Sequence, residues 1–350
     1  MNKRKAKLPA KKLRILVLVH EDLVPPESLE GYTDKQILDW KTEFDVIQTL
    51  RSMGHDVRVL GVWDDLGKIR KEIDQFTPHV TFNLLEEFHS ISMYDQHVVS
   101  YLELLRQPYT GCNPRGLMLS HDKALCKQIL LYHRIPTPKF AVYPLRRKVK
   151  PTKRLTYPLV VKSVSEEASL GISRASLVTN DEKLKDRVEF VHQTVKSDAL
   201  VEEYIEGREL YVSVLGNERL KVFPIWELEF TKSADKVPLI ATAKVKWDYE
   251  YQKQIGVQTH AAKDLPDGVS AKIIKQCARA YKALFLTGYA RIDLRLAADG
   301  RAYMLEANPN PNLSYGEDFA ESGHAAGVTY EELLHRIITL GRSYKAAWRE

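Results

Sequence analysis

Four polar residues near the carboxyl end of the chain have types and a spacing that fit a site for metal and phosphate. Arg291 and Asp293 alternate within one apolar run, and Glu306 and Asn308 alternate within the next. The turn Asp299-Gly300 between the two runs predicts a β-hairpin. Side chains two residues apart share a face of a strand, so the hairpin would gather these groups. Carboxylate and amide oxygens suit Mg²⁺. The alternative is an exposed hairpin with ordinary surface charges.

A second candidate site is the end of an apolar strand, where Lys162 follows Leu159-Val-Val. A small, hydroxyl-rich segment comes next and includes Ser169 and Gly171. Backbone N–H groups of such a loop are able to surround phosphate oxygens while the lysine supplies positive charge. A plain turn between two strands is the alternative. A buried strand rarely ends in a lysine that lacks a partner, which favours the functional interpretation.

Two weaker signals have the same chemistry. The strand at 199–203 runs into an acidic segment, where backbone groups of 203–205 are placed to pair with an adenine edge and Glu209 to hold ribose hydroxyls. Lys123 lies just after Ser120, a predicted helix cap, and offers a cation near a helix start. An ordinary strand end and an ordinary surface charge are the alternatives for these two features.

Composition excludes several classes of function. The net charge of +6 comes from the first fourteen residues, which hold seven Lys or Arg and no acid, so the rest of the chain is close to neutral. We therefore predict a disordered basic tail at 1–12 and no nucleic-acid binding. No apolar run approaches the roughly 20 residues that span a membrane, and the tail lacks the apolar core of a signal peptide. Three cysteines without paired spacing indicate a reducing cytoplasm and buried, apolar roles.

The elements that must position these residues follow from hydrophobic periodicity. Alternating strands and helices up to about residue 115 predict a parallel sheet covered on both faces, with ligands beyond the carboxyl ends of its strands. Those ends carry His20-Glu21-Asp22 and the segment 84–89. The predicted helices include 34–53, 65–76, 96–106 and a Ser120-capped helix to about 133. A small α+β lid should follow, with strands at 140–143, 158–163 and 199–203 and an Asn180-capped helix. The last part should mix strands at 210–215, 221–226 and the hairpin with helices at 269–286 and 329–342.

The order of these motifs resembles the ATP-grasp superfamily and, within it, the D-alanine–D-alanine ligases. The resemblance runs from about residue 79 to 342. It rests on the segments 102–111, His121-Asp-Lys123, 158–162, Ser169-Leu-Gly171, 201–209, Ala290-Arg-Ile-Asp293 and Leu305-Glu-Ala-Asn308. It implies α/β and α+β architecture in an ATP-grasp fold: an N-terminal parallel-sheet domain at 13–118, a lid at 119–203 and a C-terminal α+β domain with the metal site at 204–343.

The resemblance also implies the cofactors and a role for each matching residue. ATP and Mg²⁺ are expected, with two metal ions and Mn²⁺ as an alternative ion. The matching ATP-binding residues are Lys123, Lys162, Ser169, Gly171, Glu202, Glu203, Ile205 and Glu209. The metal ligands would be Asp293, Glu306 and Asn308. The catalytic residues would be Arg291 for the oxyanion, His89 in the first-substrate pocket and Lys246 on a mobile loop, with Lys244 as an alternative register. Substrate-binding candidates are Glu21, Trp247, Asn312 and Ser314.

The chain departs from the family where substrates are chosen. The family's glycine-rich loop with a glutamate is replaced by the segment 19–26, and Ala168, Trp247 and Asn312 stand where a serine, a tyrosine and a glycine are expected. We therefore predict a carboxylate–amine ligase that acts through an acyl phosphate on altered small-molecule substrates. The alternatives are a ligase for a peptide or protein amine and a non-catalytic nucleotide-binding regulator. The resemblance further suggests a homodimer.

Overall fold

The computed structural model describes residues 12–150, 153–165, 173–232 and 249–349. Apart from Lys12, the predicted disordered tail lies outside these ranges, as do Ser169, Gly171, Lys244, Lys246 and Trp247. The described strands form three sheets, one of them parallel, and helices cover their faces. The predicted mixture of α/β and α+β architecture is therefore confirmed.

The N-terminal sheet is parallel, as predicted. Its strands are β1 (Arg14–His20), β2 (Asp56–Val62) and β3 (Val80–Asn83), in the order β2-β1-β3. The helices are α1 (Asp34–Asp39), α2 (Lys41–Ser52), α3 (Leu66–Phe76) and α4 (Asp95–Leu104). The prediction of one helix over 34–53 is wrong, because Trp40 leaves helical geometry with φ of −127° and ψ of 23°. Helix α2 therefore starts anew and turns its own apolar face to the sheet.

Two consecutive helices connect this sheet to the rest of the molecule. Helix α5 (Pro114–His121) is capped by Asn113, and helix α6 (Lys123–Tyr132) is capped by Asp122, whose side chain accepts from the Leu125 N–H. The predicted cap at Ser120 is wrong, since that residue lies buried inside α5. A proline at the first position of α5 fixes the start of the earlier helix.

The lid has a small antiparallel sheet with a core of its own. Its strands are β4 (Phe140–Tyr143), β5 (Leu159–Ser163), β6 (Leu177–Val178) and β7 (Ala199–Glu203), in the order β4-β7-β5-β6. Helix α7 (Asp181–Phe190) covers the sheet, and Asn180 caps it as predicted. The buried apolar residues of this core all lie between 143 and 201.

The C-terminal sheet is the largest, and its neighbouring strands are antiparallel. It contains β8 (Arg208–Leu215), β9 (Lys221–Val222), β10 (Trp226–Phe230), β11 (Val257–Ala261), β12 (Tyr289–Leu296) and β13 (Ala302–Pro309). The order is β11-β10-β8-β12-β13, with β9 beside β8. The helices are α8 (Tyr249–Ile255), α9 (Val269–Ala283), α10 (Asp318–Ala325) and α11 (Tyr330–Ser343). The single strand predicted over 221–226 is wrong, because residues 223–225 separate β9 from β10.

The N-terminal and C-terminal sheets share two hydrophobic cores. In one of them, Val17 and Phe82 of the first sheet pack with Phe319, Leu333 and Ile337 of the last two helices. In the other, β1 and helices α4 to α6 join β8, β12 and β13. The chain boundaries proposed for the three domains stay a prediction. Among the described residues, the N-terminal and C-terminal sheets share cores, whereas the buried apolar residues of the lid sheet form a separate core.

Candidate active site

The hairpin of β12 and β13 brings the predicted polar residues together. Asp293 lies opposite Glu306, and Arg291 lies opposite Asn308. Arg291 donates from Nε to Oδ1 of Asp293 at 2.8 Å and from Nη2 to Oδ2 at 3.0 Å, so the two side chains share a face as expected. The strand register shifts just after Asp293. The bidentate pair fixes the direction of the guanidinium group.

The surroundings of Arg291 keep it charged and in place. Its guanidinium lies 4.4 Å from the ring centre of Tyr211, and Nη1 is 3.5 Å from Oδ2 of Asp318. Burial alone would lower the pKa of Arg291, but Asp293 and Asp318 hold it well above the ordinary value. A permanently charged group at this wall is suited to stabilising an oxyanion.

A buried ion cluster joins the lid to helix α6. Glu202 of β7 is 2% exposed, and its carboxylate forms ion pairs with Lys162 at 2.6 Å and with Lys127 at 2.8 Å. Lys127 also donates to the Thr137 hydroxyl at 2.9 Å and to the Leu305 carbonyl at 3.1 Å. Burial by itself raises the pKa of Glu202, yet the two lysines hold it below its ordinary value. Lys162 therefore has the partner that its position required.

A second ion pair contains Glu209, another residue that was predicted to bind ATP. Glu209 of β8 accepts from Nη2 of Arg295 at 2.6 Å and from the Tyr211 hydroxyl at 3.1 Å. Glu203 points away from Glu202, as neighbours on a strand do, and accepts from the Thr156 N–H at 2.9 Å. Ile205 follows directly in the loop between β7 and β8.

These clusters belong to one site. Although burial alone would lower it, the pKa of Lys162 is raised, first by Glu202 and then by Glu306 and Glu209. Carboxylates of the hairpin and of β8 therefore both stabilise the charged form of this lid lysine. Lys123, 8% exposed at the start of α6, donates its backbone N–H to the Val164 carbonyl at 3.2 Å, which places it beside the end of β5.

The donor set at the hairpin fits a hard metal ion. Asp293 and Glu306 face each other across the strand pair, and Asn308 adds an amide oxygen. The Nδ2 atom of Asn308 is buried and has no hydrogen-bond partner among the described residues, so its side chain is not committed elsewhere. Both oxygens of Asp293 are bound by Arg291 in this structure, so a metal at Asp293 would share that carboxylate with the guanidinium.

A small cleft adjoins this wall. It is lined by Tyr289 of β12, by the segment 310–312 after β13, by the segment 83–86 after β3, and by Thr42 and Glu43 of α2. Thr42 donates to Oδ1 of Asn312 at 2.8 Å, and its oxygen lies 2.8 Å from the hydroxyl of Ser314. The structure therefore brings the predicted Asn312 and Ser314 together at the edge of the cleft.

Two predicted substrate residues lie outside the described lining of this cleft. Glu21 is exposed, and its carboxylate lies 3.7 Å from the ammonium group of Lys68 of α3. His89 is exposed, has a φ of 56° and donates its backbone N–H to the Trp63 carbonyl. The roles of these two residues stay predictions.

Several residues at the site were missed in the sequence, although a signal for two of them was present. Lys127 lies on the apolar face of α6, in line with Lys123, Cys126 and Leu130, and a lysine at such a position needs a buried partner. Arg295 continues the alternation of Arg291 and Asp293 on one face of β12. Other missed residues come from distant segments, and their types gave no signal: Thr42, Glu43, Tyr211 and Asp318.

Comparisons with known proteins agree with this architecture. Residues 134–339 match the family model of the D-ala D-ala ligase C-terminus. A D-alanine–D-alanine ligase of Bordetella petrii is 33% identical over 244 residues, which cover 68% of this chain and 69% of that protein. An uncharacterized protein of Sinorhizobium fredii is 31% identical over 262 residues, 75% of this chain and 74% of that protein.

The fold has the same relatives. A crystal structure of D-alanine–D-alanine ligase from Bacillus anthracis in complex with ATP superposes with a TM-score of 0.73 at 24% identity, over 94% of this chain and 97% of that one. The D-alanine–D-alanine ligase from Coxiella burnetii gives a TM-score of 0.68 at 19% identity, over 95% of this chain and 94% of that one. Within the described ranges, every helix is too short or too polar to cross a membrane.

Proposed function

Because the chain belongs to the D-alanine–D-alanine ligase family of the ATP-grasp superfamily, we propose that it is an ATP-dependent ligase that joins a carboxylate to an amine. The observation that carries this proposal is a buried cluster that joins the lid to the hairpin: Glu202 lies 2.6 Å from Lys162 and 2.8 Å from Lys127, and Lys127 also donates to the Leu305 carbonyl, next to Glu306. The same sheet holds the Arg291–Asp293 and Arg295–Glu209 pairs. Such a set provides cations for phosphates, a carboxylate for a ribose and oxygen ligands for Mg²⁺.

The nucleotide would lie between the lid and the C-terminal sheet. Lys123 and Lys162 would bind its phosphates, Glu209 its ribose and the segment 203–205 its base. Glu202 would act indirectly, since its carboxylate orients Lys162 through a 2.6 Å contact. Asp293, Glu306 and Asn308 would hold Mg²⁺, which neutralises phosphate charge when it is bound. Ser169, Gly171 and Lys246 are proposed contacts on the resemblance alone.

The chemistry has two steps. A carboxylate oxygen of the first substrate attacks the γ-phosphorus of ATP, the bond to the bridging oxygen breaks, and ADP leaves. A neutral amine then attacks the acyl carbon of the acyl phosphate, the oxyanion that forms faces Arg291, and the tetrahedral intermediate expels phosphate with loss of the amine proton. Positioning and charge neutralisation account for most of the rate in such reactions. The substrates would be small molecules.

We further propose that the amino-acid specificity differs from that of the D-alanine–D-alanine ligases. Asn312 stands where the family has a glycine, and its side chain accepts from Thr42 of α2. A glycine has no side chain at this position, whereas the Asn312 side chain would narrow the cleft. It also forms a hydrogen bond to the N-terminal domain that a glycine is unable to form. The homodimer and the cytoplasmic location remain predictions.

The test is ADP release with Mg²⁺ and ATP, measured across pairs of D- and L-amino acids and small carboxylates. We expect Glu306→Gln to lower turnover by at least about 100-fold, since it removes a charged ligand where charge develops, while the circular dichroism spectrum stays unchanged. The surface variant Glu189→Gln should keep full activity, because the contact of Glu189 with Lys185, at 3.9 Å, is exposed to solvent. Unchanged ADP release in Glu306→Gln would refute the metal assignment.

A further inference from the structure

The cleft beside Arg291 contains a buried carboxylate that the proposed chemistry does not use. Glu43 lies on α2 and is 6% exposed. It lies in line with Val46, Ile47 and Leu50, which form the buried face of the helix. A glutamate on an apolar helix face is rarely kept without a partner.

No partner for the Glu43 side chain is found among the other described residues. The lysine nearest along the helix, Lys41, is bound to Asp45 at 2.5 Å and to the Tyr315 carbonyl at 3.0 Å. The other residues that line the cleft are uncharged, except for Glu86. Burial raises the pKa of Glu43 to about 7, and the neighbouring Glu86 adds to the shift. The described lining therefore combines two carboxylates with amide groups and contains no lysine or arginine.

The position of the cleft indicates which part of a substrate would reach Glu43. Tyr289 lines the cleft and precedes Arg291 by two residues on β12. Two residues of a strand span about 7 Å. A group bound beside Glu43 is therefore several bonds away from an atom that reacts at Arg291.

The charge of Glu43 points to the same conclusion. An attacking amine must be neutral, whereas a buried carboxylate favours the protonated, cationic form of a nearby amine. Glu43 is thus unsuited to the reacting amine and suited to a second cationic group that stays charged throughout the reaction.

We propose that Glu43 is a specificity-determining residue that binds a side-chain ammonium or guanidinium group of the substrate. The inference rests on the proposed ligase function, because it takes Arg291 as the centre of the reaction. It assigns to this enzyme a basic amino acid, or an amine of similar shape, in the place of a small neutral one. Asn83 also lines the cleft, and its amide oxygen, which accepts a 3.4 Å hydrogen bond from the Leu85 N–H, would supply a further acceptor for the cation.

The test compares cationic probes with neutral probes of the same shape. Lysine is paired with norleucine and arginine with citrulline, each in both enantiomers. Binding is measured by calorimetry on the full chain loaded with Mg²⁺ and a non-hydrolysable ATP analogue. The wild type should bind one cationic probe about 10- to 100-fold more tightly than its neutral counterpart, as a buried charge-assisted hydrogen bond provides. Glu43→Gln should bring the two affinities within about threefold, and the control Glu189→Gln should retain the preference.

The outcomes separate this inference from the proposed function. Equal affinities in the wild type, or no binding of any probe, would overturn the role of Glu43, as would a preference that survives in Glu43→Gln. A clear preference that vanishes in Glu43→Gln would support it. Absence of ADP release with every substrate pair, alongside that preference, would count against the ligase chemistry alone.

Discussion

Buried carboxylates have different surroundings in two regions of the molecule. One region is the nucleotide cluster, formed by Glu202 and Glu209 with their cationic partners, and the other is the substrate cleft that Glu43 lines. In the cluster, Glu202 has two lysines and Glu209 has Arg295 within hydrogen-bond distance. In the cleft, Glu86 is the other charged residue of the described lining beside Glu43. Strand β12 contributes Tyr289 to the cleft and Arg295 to the cluster, so the two regions share one scaffold.

The difference reflects what each region must do before a ligand arrives. A paired cluster is already organised, so its lysines are fixed in direction at little further cost when phosphates bind. An unpaired carboxylate is unfavourable in the free protein and gains most from a cation that enters. The charges therefore indicate that the nucleotide cluster is preorganised, whereas the carboxylate of the cleft gains a countercharge only when the substrate binds.

We expect the largest loss of stability from Glu202→Gln, because it removes the carboxylate that both buried lysines, Lys127 and Lys162, contact. We expect the free energy of unfolding at pH 7 to fall by about 3–5 kcal/mol, measured by urea denaturation. The pKa of Glu202 is held below its ordinary value. The stability that its ion pairs provide is therefore fully present when the pH is above the ordinary pKa, and it is lost as the pH falls through the lowered pKa. The neighbour Glu203→Gln, which faces the other way, is the control. Equal losses in both variants would refute the pairing.

Glu43→Gln should change the free energy of unfolding in the opposite direction and stabilise the protein above neutral pH. The pKa of Glu43 rises from 4.5 to about 7, so the charged carboxylate weakens the fold above that range and is neutral in both states well below 4.5. At pH 8 the variant should be more stable than the wild type by on the order of 3 kcal/mol, and at pH 4 the two should be alike. Thermal unfolding across this pH range is the measurement. A destabilised variant at pH 8 would mean that Glu43 has a cationic partner.

We expect the smallest change in stability from a variant of Thr42, which lies at the edge of the cleft. Thr42→Val removes the hydroxyl that joins Asn312 to Ser314 and should cost about 1 kcal/mol in unfolding free energy. The KM for the amino-acid substrate should rise while that for ATP stays the same, because only the wall of the cleft loosens. Thr42→Ser keeps the hydroxyl and should behave like the wild type. An altered KM for ATP would show that the cleft and the cluster are coupled.

The sequence predicted the parts of the site that depend on local pattern. The hairpin register followed from strand alternation, so the shared face of Arg291 and Asp293 was predicted and is confirmed. The partner of Lys162 was anticipated, although its identity was not. Glu202 was assigned to the adenosine directly, whereas its carboxylate is occupied by two lysines.

The parts that failed depend on contacts between distant segments. Ser120 was predicted to cap a helix, but Asn113 and Asp122 each cap a helix and leave Ser120 inside the first one. Glu43 gave no signal as a single acidic residue, and its meaning came only from the loops of β3 and β13 that close over it. His89 was assigned by resemblance alone, and its role stays a prediction.

The separate core of the lid determines which part of the molecule is able to move. Its apolar contacts are made among residues 143–201, whereas the N-terminal and C-terminal sheets are joined by common cores. A rigid-body rotation of the lid would therefore break few apolar contacts, while separating the other two sheets would break many. Nucleotide entry and release should follow lid motion. The walls of the Glu43 cleft stay at constant separation throughout, so selection by size there is set before ATP binds.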